Sequence, residues 1–225
     1  MIEIRPIRHL GEYHAVEDLQ QEVWNVTDRE VVPALHLIPA CAVGAILLGA
    51  FHGQRLIGFV YGFPGFEGEH RIIHSDMLAV LPDYRERGLG RRLKLAQRDA
   101  ALERGIDRIT WTFDPLQARN AHLNFNRLGV TADRYLRDFY GQTSSPLHHG
   151  IGTDRLWVTW VLDQAGPTPA AGERLVEIPP EVGALPLEEA RRWRERTRGD
   201  FEAAFAEGYI VTGFDRGKSS YLLTG

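Results

Sequence analysis

Residues Ile2 to Arg8 carry the pattern of a strand. Between Gly11 and Trp24 the apolar residues Val16, Leu19 and Val23 fall on one helical face. Strands are predicted again at 43–51, 56–63 and 71–80, the first two joined through His52-Gly53-Gln54-Arg55 as a hairpin. Further on, Leu89, Leu93, Ala96 and Ala100 recur at spacings of four, three and four, one apolar face of a helix that Gly105 stops. Ile106 to Phe113 reads as the next strand, 118–128 as a short helix ended by Gly129, and Thr153 to Leu162 as a strand holding Trp157 and Trp160. Antiparallel hairpins followed by strand-helix-strand predict an α/β chain of the mixed α+β kind, with helices packed on a mostly antiparallel sheet.

Gln164 to Gly172, rich in Pro, Ala and Gly, reads as a linker. Beyond it a charged helix is predicted over Leu187 to Glu207. Two strands, Tyr209 to Phe214 and Ser219 to Leu223, are predicted around Asp215-Arg216-Gly217-Lys218. The expected organisation is a main domain over 1–163, a linker over 164–172 and a helix-hairpin extension over 173–225. A tail of about fifty residues is small for a separate core, so it is expected to close over the main domain or to join a neighbouring subunit. Ala34 to Phe51 is apolar enough to suggest a membrane helix. His36, Pro39, Gly44 and Gly49 interrupt it, and its length is at the lower limit for spanning. It is read as a short helix up to Pro39 and a buried strand from Val43 to Phe51.

Residues 74 to 90, His-Ser-Asp-Met-Leu-Ala-Val-Leu-Pro-Asp-Tyr-Arg-Glu-Arg-Gly-Leu-Gly, carry the most chemistry. An apolar strand runs through a proline turn into an Arg-x-x-Gly-x-Gly loop (Arg85, Gly88, Gly90) that opens a helix. Glycines let the backbone approach a ligand closely, and the first amides of a helix have no intrahelical partners. The positive end of the helix dipole therefore suits a phosphate or pyrophosphate, with Arg85, Arg87, Arg91 and Arg92 adding cation around the same turn. A plain strand-helix turn with solvated arginines is the competing reading. A dinucleotide fingerprint is excluded because three residues beyond Gly90 stands Leu93. A P-loop is excluded because only three residues separate Gly213 from Gly217-Lys218-Ser219, and a strand follows.

Leu-Ala-Val-Leu-Pro-Asp-Tyr-Arg-Glu-Arg-Gly-Leu-Gly-Arg-Arg-Leu, 78 to 93, resembles the acyl-CoA-binding motif of the GNAT (Gcn5-related) N-acetyltransferase superfamily. In that family Arg/Gln-x-x-Gly-x-Gly/Ala follows a strand ending near Val-x-Pro. Ile4-Arg5-Pro6 with Val16 to Trp24 is similar to the family's first strand and helix, and Asn120 through Gly129 to a later helix. The likeness covers about residues 1 to 163. It departs at Asn120, nine residues before Gly129, and at Phe125, where many members carry a tyrosine. The resemblance implies a GNAT-like central sheet flanked by helices, with acetyl-CoA or another acyl-CoA (succinyl-CoA included) as co-substrate and no metal. It assigns cofactor contacts to Leu78, Ala79, Val80, Arg85, Glu86, Arg87, Gly88, Leu89, Gly90, Arg91, Asn120 and Phe125.

Composition narrows the partners. The 225 residues are 44% hydrophobic and 25% charged, apolar enough for a packed core. A net charge of −4 gives no general pull toward nucleic acid or anionic membrane. Lysine stands only at 94 and 218. The single Cys41 permits no intrachain disulfide and fits a reducing cytoplasm; among Ala and Val it reads as a small core residue. Met1-Ile2-Glu3-Ile4-Arg5 carries no leader pattern, so a cytoplasmic protein is expected.

Acyl transfer to an amine must overcome the amine's own proton. An alkylammonium with pKa about 10.4 costs about 4.6 kcal/mol to neutralise at pH 7. His74 and Asp76 stand two apart, on one strand face with Leu78 and Val80, and are the candidate bases; either would otherwise cap the sheet edge. From ordinary pKa values histidine suits the task better than aspartate, unless burial raises the latter. Phe125 cannot protonate a leaving thiolate, which leaves Tyr135, Tyr140 or water; core packing or strand surface is the plainer reading of both tyrosines. Asn120 would hold a cofactor amide or cap its helix. Arg119, Arg127, Arg134 and Arg137 read as solvated charge, or as recognition of a carboxylate on an amino-acid acceptor or a dicarboxylic acyl group. His148-His149 reads as loop.

The expected function is acyl-CoA-dependent N-acyl transfer to a small primary amine, such as an amino acid, by direct attack. A homodimer is the expected assembly, with neither nucleic acid nor membrane as partner. A non-catalytic acyl-CoA sensor is the alternative, supported by Phe125, and a protein-modifying acetyltransferase is the third reading.

Overall fold

The computed structural model describes residues 1–85, 87–141, 150–164, 166 and 174–225. Glu86, the His148-His149 pair and all of the expected linker except Gln164 and Gly166 lie outside the described residues. The chain is mixed α/β with mostly antiparallel strands, and it divides into two compact units, Met1–Ile109 and Thr110–Gly225.

The first unit contains strands β1 (Ile2–Pro6), β2 (Ile46–His52), β3 (Arg55–Glu67) and β4 (His70–Val80), paired in that order and antiparallel throughout. Helices α1 (Leu10–Trp24), α2 (Ala34–Ala42) and α3 (Leu89–Leu102) accompany them. The apolar face expected of α1 is buried at Val16 and Leu19, and that of α3 at Leu89 and Leu93; Ile57, Phe59, Val60 and Ile73 are wholly enclosed on the strands. The apolar stretch 34–51 divides into α2 and β2, and among the described residues no helix is long and apolar enough to cross a membrane.

Two elements run further than their patterns predict. Helix α2 continues past Pro39 to Ala42: the ring removes one N–H, while Val43 and Ala45 close the last turn on the carbonyls of Pro39 and Ala40 (3.2 and 2.9 Å). Strand β3 extends to Glu67 because Phe63–Glu67 pair with His70–His74 across a turn where Gly68 takes φ +58°.

The second unit opens with β5 (Arg108–Phe113), whose first residues belong to the unit before it. Helix α4 (Ala118–Ala121) widens into a π-helical segment at His122–Leu128 and stops at Gly129, φ +73°. The strands β6 (Thr131–Leu136), β7 (Arg155–Val161), β8 (Arg174–Glu177), β9 (Ile210–Asp215) and β10 (Ser220–Thr224) follow, with α5 (Leu187–Ala206) preceding β9. Their order is β5-β7-β6-β9-β10-β8. Neither β6 nor β8 stands out in the sequence. β6 carries Asp133 and Arg134 at its centre, and the register slips there between Ala132 and Arg134, which blurs the alternation. β8 is only four residues long.

Inside this unit the Asp154 carboxylate has a fully enclosed side chain and accepts both prongs of Arg198 from α5 (2.8 and 2.9 Å). Tyr135 Oη and the Asp138 amide complete the shell at 2.8 and 3.0 Å. One helical turn earlier, Arg194 reaches Asp114 at 2.8 Å. Burial alone would raise Asp154, yet the Arg198 guanidinium and these donors hold it below the usual carboxylate range. Its stabilisation is therefore present above the unfolded pKa near 3.9 and is lost as pH falls through the lower folded value. Arg198→Lys keeps the charge but loses the fork. It should cost about 1.5 kcal/mol in a urea titration, and an unchanged midpoint would show that the fork adds nothing.

Candidate active site

β4 and the start of α3 bring the strand and glycine residues of the turn together in the first unit. From His74 to Val80 along β4 the buried residues are Ser75, Met77 and Ala79, while His74, Asp76, Leu78 and Val80 alternate on the more open face, the side to which the sequence assigned them. The pairing with β3 is interrupted in the middle: Gly62 faces Ser75 and Tyr61 faces Met77, so Asp76 has no residue opposite and forms a bulge. A bulge re-aims side chains at such points. Here it turns one carboxylate, next to His74, away from regular pairing.

Physical environment moves the two groups in opposite directions. Burial, Lys94 and the surrounding protein pull the His74 imidazole down to about 4, with Glu67 opposing; the ring lies 5.5 Å from that of Phe63. Burial raises Asp76 above the ordinary carboxylate range, although His36 on α2 works against the shift. The advantage that ordinary pKa values give histidine is thereby lost. Asp76 keeps contact with solvent while the protein around it supplies the upward shift.

At the loop, Gly88 is the N-cap of α3 in the left-handed conformation (φ +72°, ψ 8°) and provides no side-chain cap. The first helical bond runs from the Arg92 amide to Gly88 O at 3.0 Å, so the amides of Leu89 and Gly90 precede the helical ladder. A Cβ on Gly90 would meet only Leu78 Cδ2, at 3.7 Å. An uncapped N-terminus with glycine at both critical places fits a pyrophosphate, and hence the anionic part of a coenzyme A thioester. Arg85 donates through Nε to Val80 O (3.1 Å), Arg92 to Ile2 O (3.1 Å), and Arg87 lies 6.0 Å from the Tyr84 ring. Leu78, Ala79 and Val80 pair with Val60, Phe59 and Gly58.

Three residues that sequence reasoning passed over adjoin this turn. Tyr61 is enclosed in β3, its hydroxyl meets no hydrogen-bond partner among the described residues, and burial with the nearby Asp76 charge raises its pKa to about 12. Lys94 and Gln97 occupy the buried face of α3 and meet Ser75. Their polar character hid them, because a helical apolar count skips a lysine.

The second unit holds the remaining candidates. Phe125 is enclosed, its ring 5.7 Å from that of Tyr221 and 6.3 Å from that of Phe113, and Asn120 lies in α4. Tyr135 stacks on Phe201 at 5.7 Å and gives its hydroxyl to Asp154; burial holds its pKa well above the usual phenol range. Tyr140 is exposed. Of the four arginines considered for carboxylate recognition, Arg137 already pairs with Glu202, and Arg134 pairs with Asp133 while lying over Trp157. Back in the first unit, Cys41 is only partly exposed, and its thiol is pushed up by burial, away from thiolate character. Among the described residues no cluster of three His, Cys, Asp or Glu could hold a metal ion.

Comparison with solved structures places this geometry. YncA of Salmonella typhimurium, described as an acetyltransferase and solved with its cofactor acetyl-CoA, superposes with a TM-score of 0.57 at 17% identity, over 76% of this chain and 99% of its own. The ribosomal-protein-S18-alanine N-acetyltransferase of Escherichia coli gives 0.56 at 17% identity, covering 74% and 97%. The aminoglycoside 6'-N-acetyltransferase of Enterococcus faecium gives 0.55 at 15%, covering 73% and 99%. At such identities the likeness shows the fold. No protein with a curated description matches the sequence. The family model "Acetyltransferase (GNAT) family" matches residues 12–129, which contain most of α1, all of α2 to α4 and the whole glycine turn. On that match and that turn, the chain belongs to the GNAT acetyltransferase family, whose reaction is acyl transfer from coenzyme A.

Proposed function

We propose that this chain moves the acetyl group of acetyl-CoA to the primary amine of a small molecule, with amino acids the first acceptors to test. The observation that carries the reading is the bulge at Asp76. It sets a carboxylate with a raised pKa beside the uncharged His74, on the β4 face that leads to the glycine turn. Bound acetyl-CoA supplies an activated carbonyl. Asp76 attracts the acceptor's ammonium group and takes its proton, directly or through water, so that the free amine attacks the thioester carbon. The new C–N bond forms, the C–S bond breaks, and the amine's second proton leaves with the thiolate. His74, uncharged at neutral pH, does not compete with the ammonium for Asp76. No covalent enzyme intermediate is needed, in keeping with the protonated Cys41.

Acetyl is the first donor to test, since two of the four arginines considered for a carboxylate, Arg134 and Arg137, already pair with Asp133 and Glu202. Phe125 favours a second reading, a sensor that binds acyl-CoA without turnover, since its ring cannot protonate a leaving thiolate. Thiol release from acetyl-CoA, followed across amino acids, polyamines and aminoglycosides with succinyl-CoA as the competing donor, separates the two. Turnover with a defined amine supports the enzyme. Micromolar acetyl-CoA binding with no turnover across the panel supports the sensor.

A further inference from the structure

The buried stripe of α3 reads Leu89, Leu93, Lys94, Gln97 and Ala101, so a lysine takes a core position. Lys94 is 3% exposed. Its Nζ donates to Ser75 Oγ at 2.8 Å, and Ser75 Oγ donates onward to Gln97 Oε1 at 2.8 Å. Ser75 sits between His74 and Asp76, directly before the bulge. Opposite it, Gly62 leaves no space: a Cβ there would stand 2.7 Å from Gln97 Nε2 and 2.9 Å from the His74 carbonyl oxygen. Two side chains, Lys94 and Gln97, thus tie α3 to the one serine flanked by both candidate bases.

Stability alone does not explain a lysine at this place. An ammonium enclosed in a core loses its hydration, and an aliphatic side chain of the same length usually serves the fold equally well or better. Burial accordingly depresses the Lys94 pKa. Among the groups acting on His74 are Lys94 from α3, which lowers its pKa after burial, and Glu67 and the Phe63 ring from β3. Of these, Lys94 is the cation that opposes protonation.

We infer that Lys94 is a positioning residue of the transfer site: through Ser75 it fixes the β4 bulge and so holds Asp76 where the acceptor must reach it. The inference rests on the proposed role of Asp76 and His74 in the reaction. Its test reads His74 directly, by the pH dependence of the imidazole ring protons in NMR, in the full-length wild type, Lys94→Met and Ser75→Ala, alongside kcat/KM against pH. In Lys94→Met the His74 titration should move upward from about 4, because a group that opposes its protonation is gone, and kcat should fall about tenfold with the loss of the tether. Ser75→Ala keeps the Lys94 amine and loses the tether, so kcat should fall about tenfold, the worth of about one such hydrogen bond, with the His74 titration unmoved. Melting of Lys94→Met should occur at or above the wild-type temperature. A Lys94→Met protein that fails to fold has lost a structural residue, and one whose titration and kcat match the wild type has lost nothing; either overturns the assignment. Because the titration needs no turnover, a shifted His74 in an inactive wild type would count against the proposed reaction and not against the coupling to Lys94.

Discussion

Asp76→Asn should lower kcat by roughly 10²–10⁴-fold while leaving the KM for acetyl-CoA unchanged. Asparagine preserves the size of the side chain at the bulge, so β4 keeps its shape, but an amide takes no proton. The loss should be larger than that of His74→Ala. His74 works uncharged and with an affinity for protons reduced to about 4, whereas burial strengthens Asp76 as a base. The sign of the pH dependence follows. Asp76 must be ionised to act, so activity should fall as pH drops through its raised pKa and hold above it, until other groups titrate. Full kcat in Asp76→Asn, with turnover proven for the wild type, would move the proton acceptor elsewhere.

Gly90→Val should weaken acetyl-CoA binding about 100-fold and leave the fold intact. The affinity loss corresponds to about 3 kcal/mol, the loss of one or two charge-assisted hydrogen bonds between helix amides and a pyrophosphate. The fold survives because Gly90 needs no unusual backbone angle and a Cβ there finds only Leu78 at ordinary contact distance. Gly88 makes a poorer test. Its φ of +72° means that any side chain adds about 1–2 kcal/mol of backbone strain, which mixes stability with affinity. Calorimetric titration with a thermal melt of the same sample separates these effects. Wild-type affinity in Gly90→Val would remove the anion from the α3 N-terminus.

Much of the architecture was legible because burial leaves periodic traces. Leu89 and Leu93 announce α3, Gly105 and Gly129 mark helix ends, and the hairpin of β2 and β3 follows from its turn residues. What stayed hidden has physical causes. A bulge disturbs pairing without disturbing the alternation of one strand, so the sequence offered Asp76 as a candidate base but not the break in pairing at it, which needed the partner strand in place. β6 is charged at its centre and slips register, and the extension of β3 needed β4 opposite it. Direction of pKa shift depends on enclosure, which no spacing rule reports, so ordinary values favoured His74 over Asp76. Lys94, a charged residue in a core stripe, belongs to the same class: sequence reasoning expects lysine outside.

Everything chemical in this account depends on where coenzyme A lies. Amide NMR spectra of the uniformly ¹⁵N-labelled full-length protein, recorded during titration with acetyl-CoA, address that point without assuming any activity. The largest saturable shifts should belong to Gly88, Leu89, Gly90 and Arg91, with smaller ones along Leu78 to Val80. Saturable binding that leaves those amides unmoved, or no binding at millimolar acetyl-CoA, would contradict it.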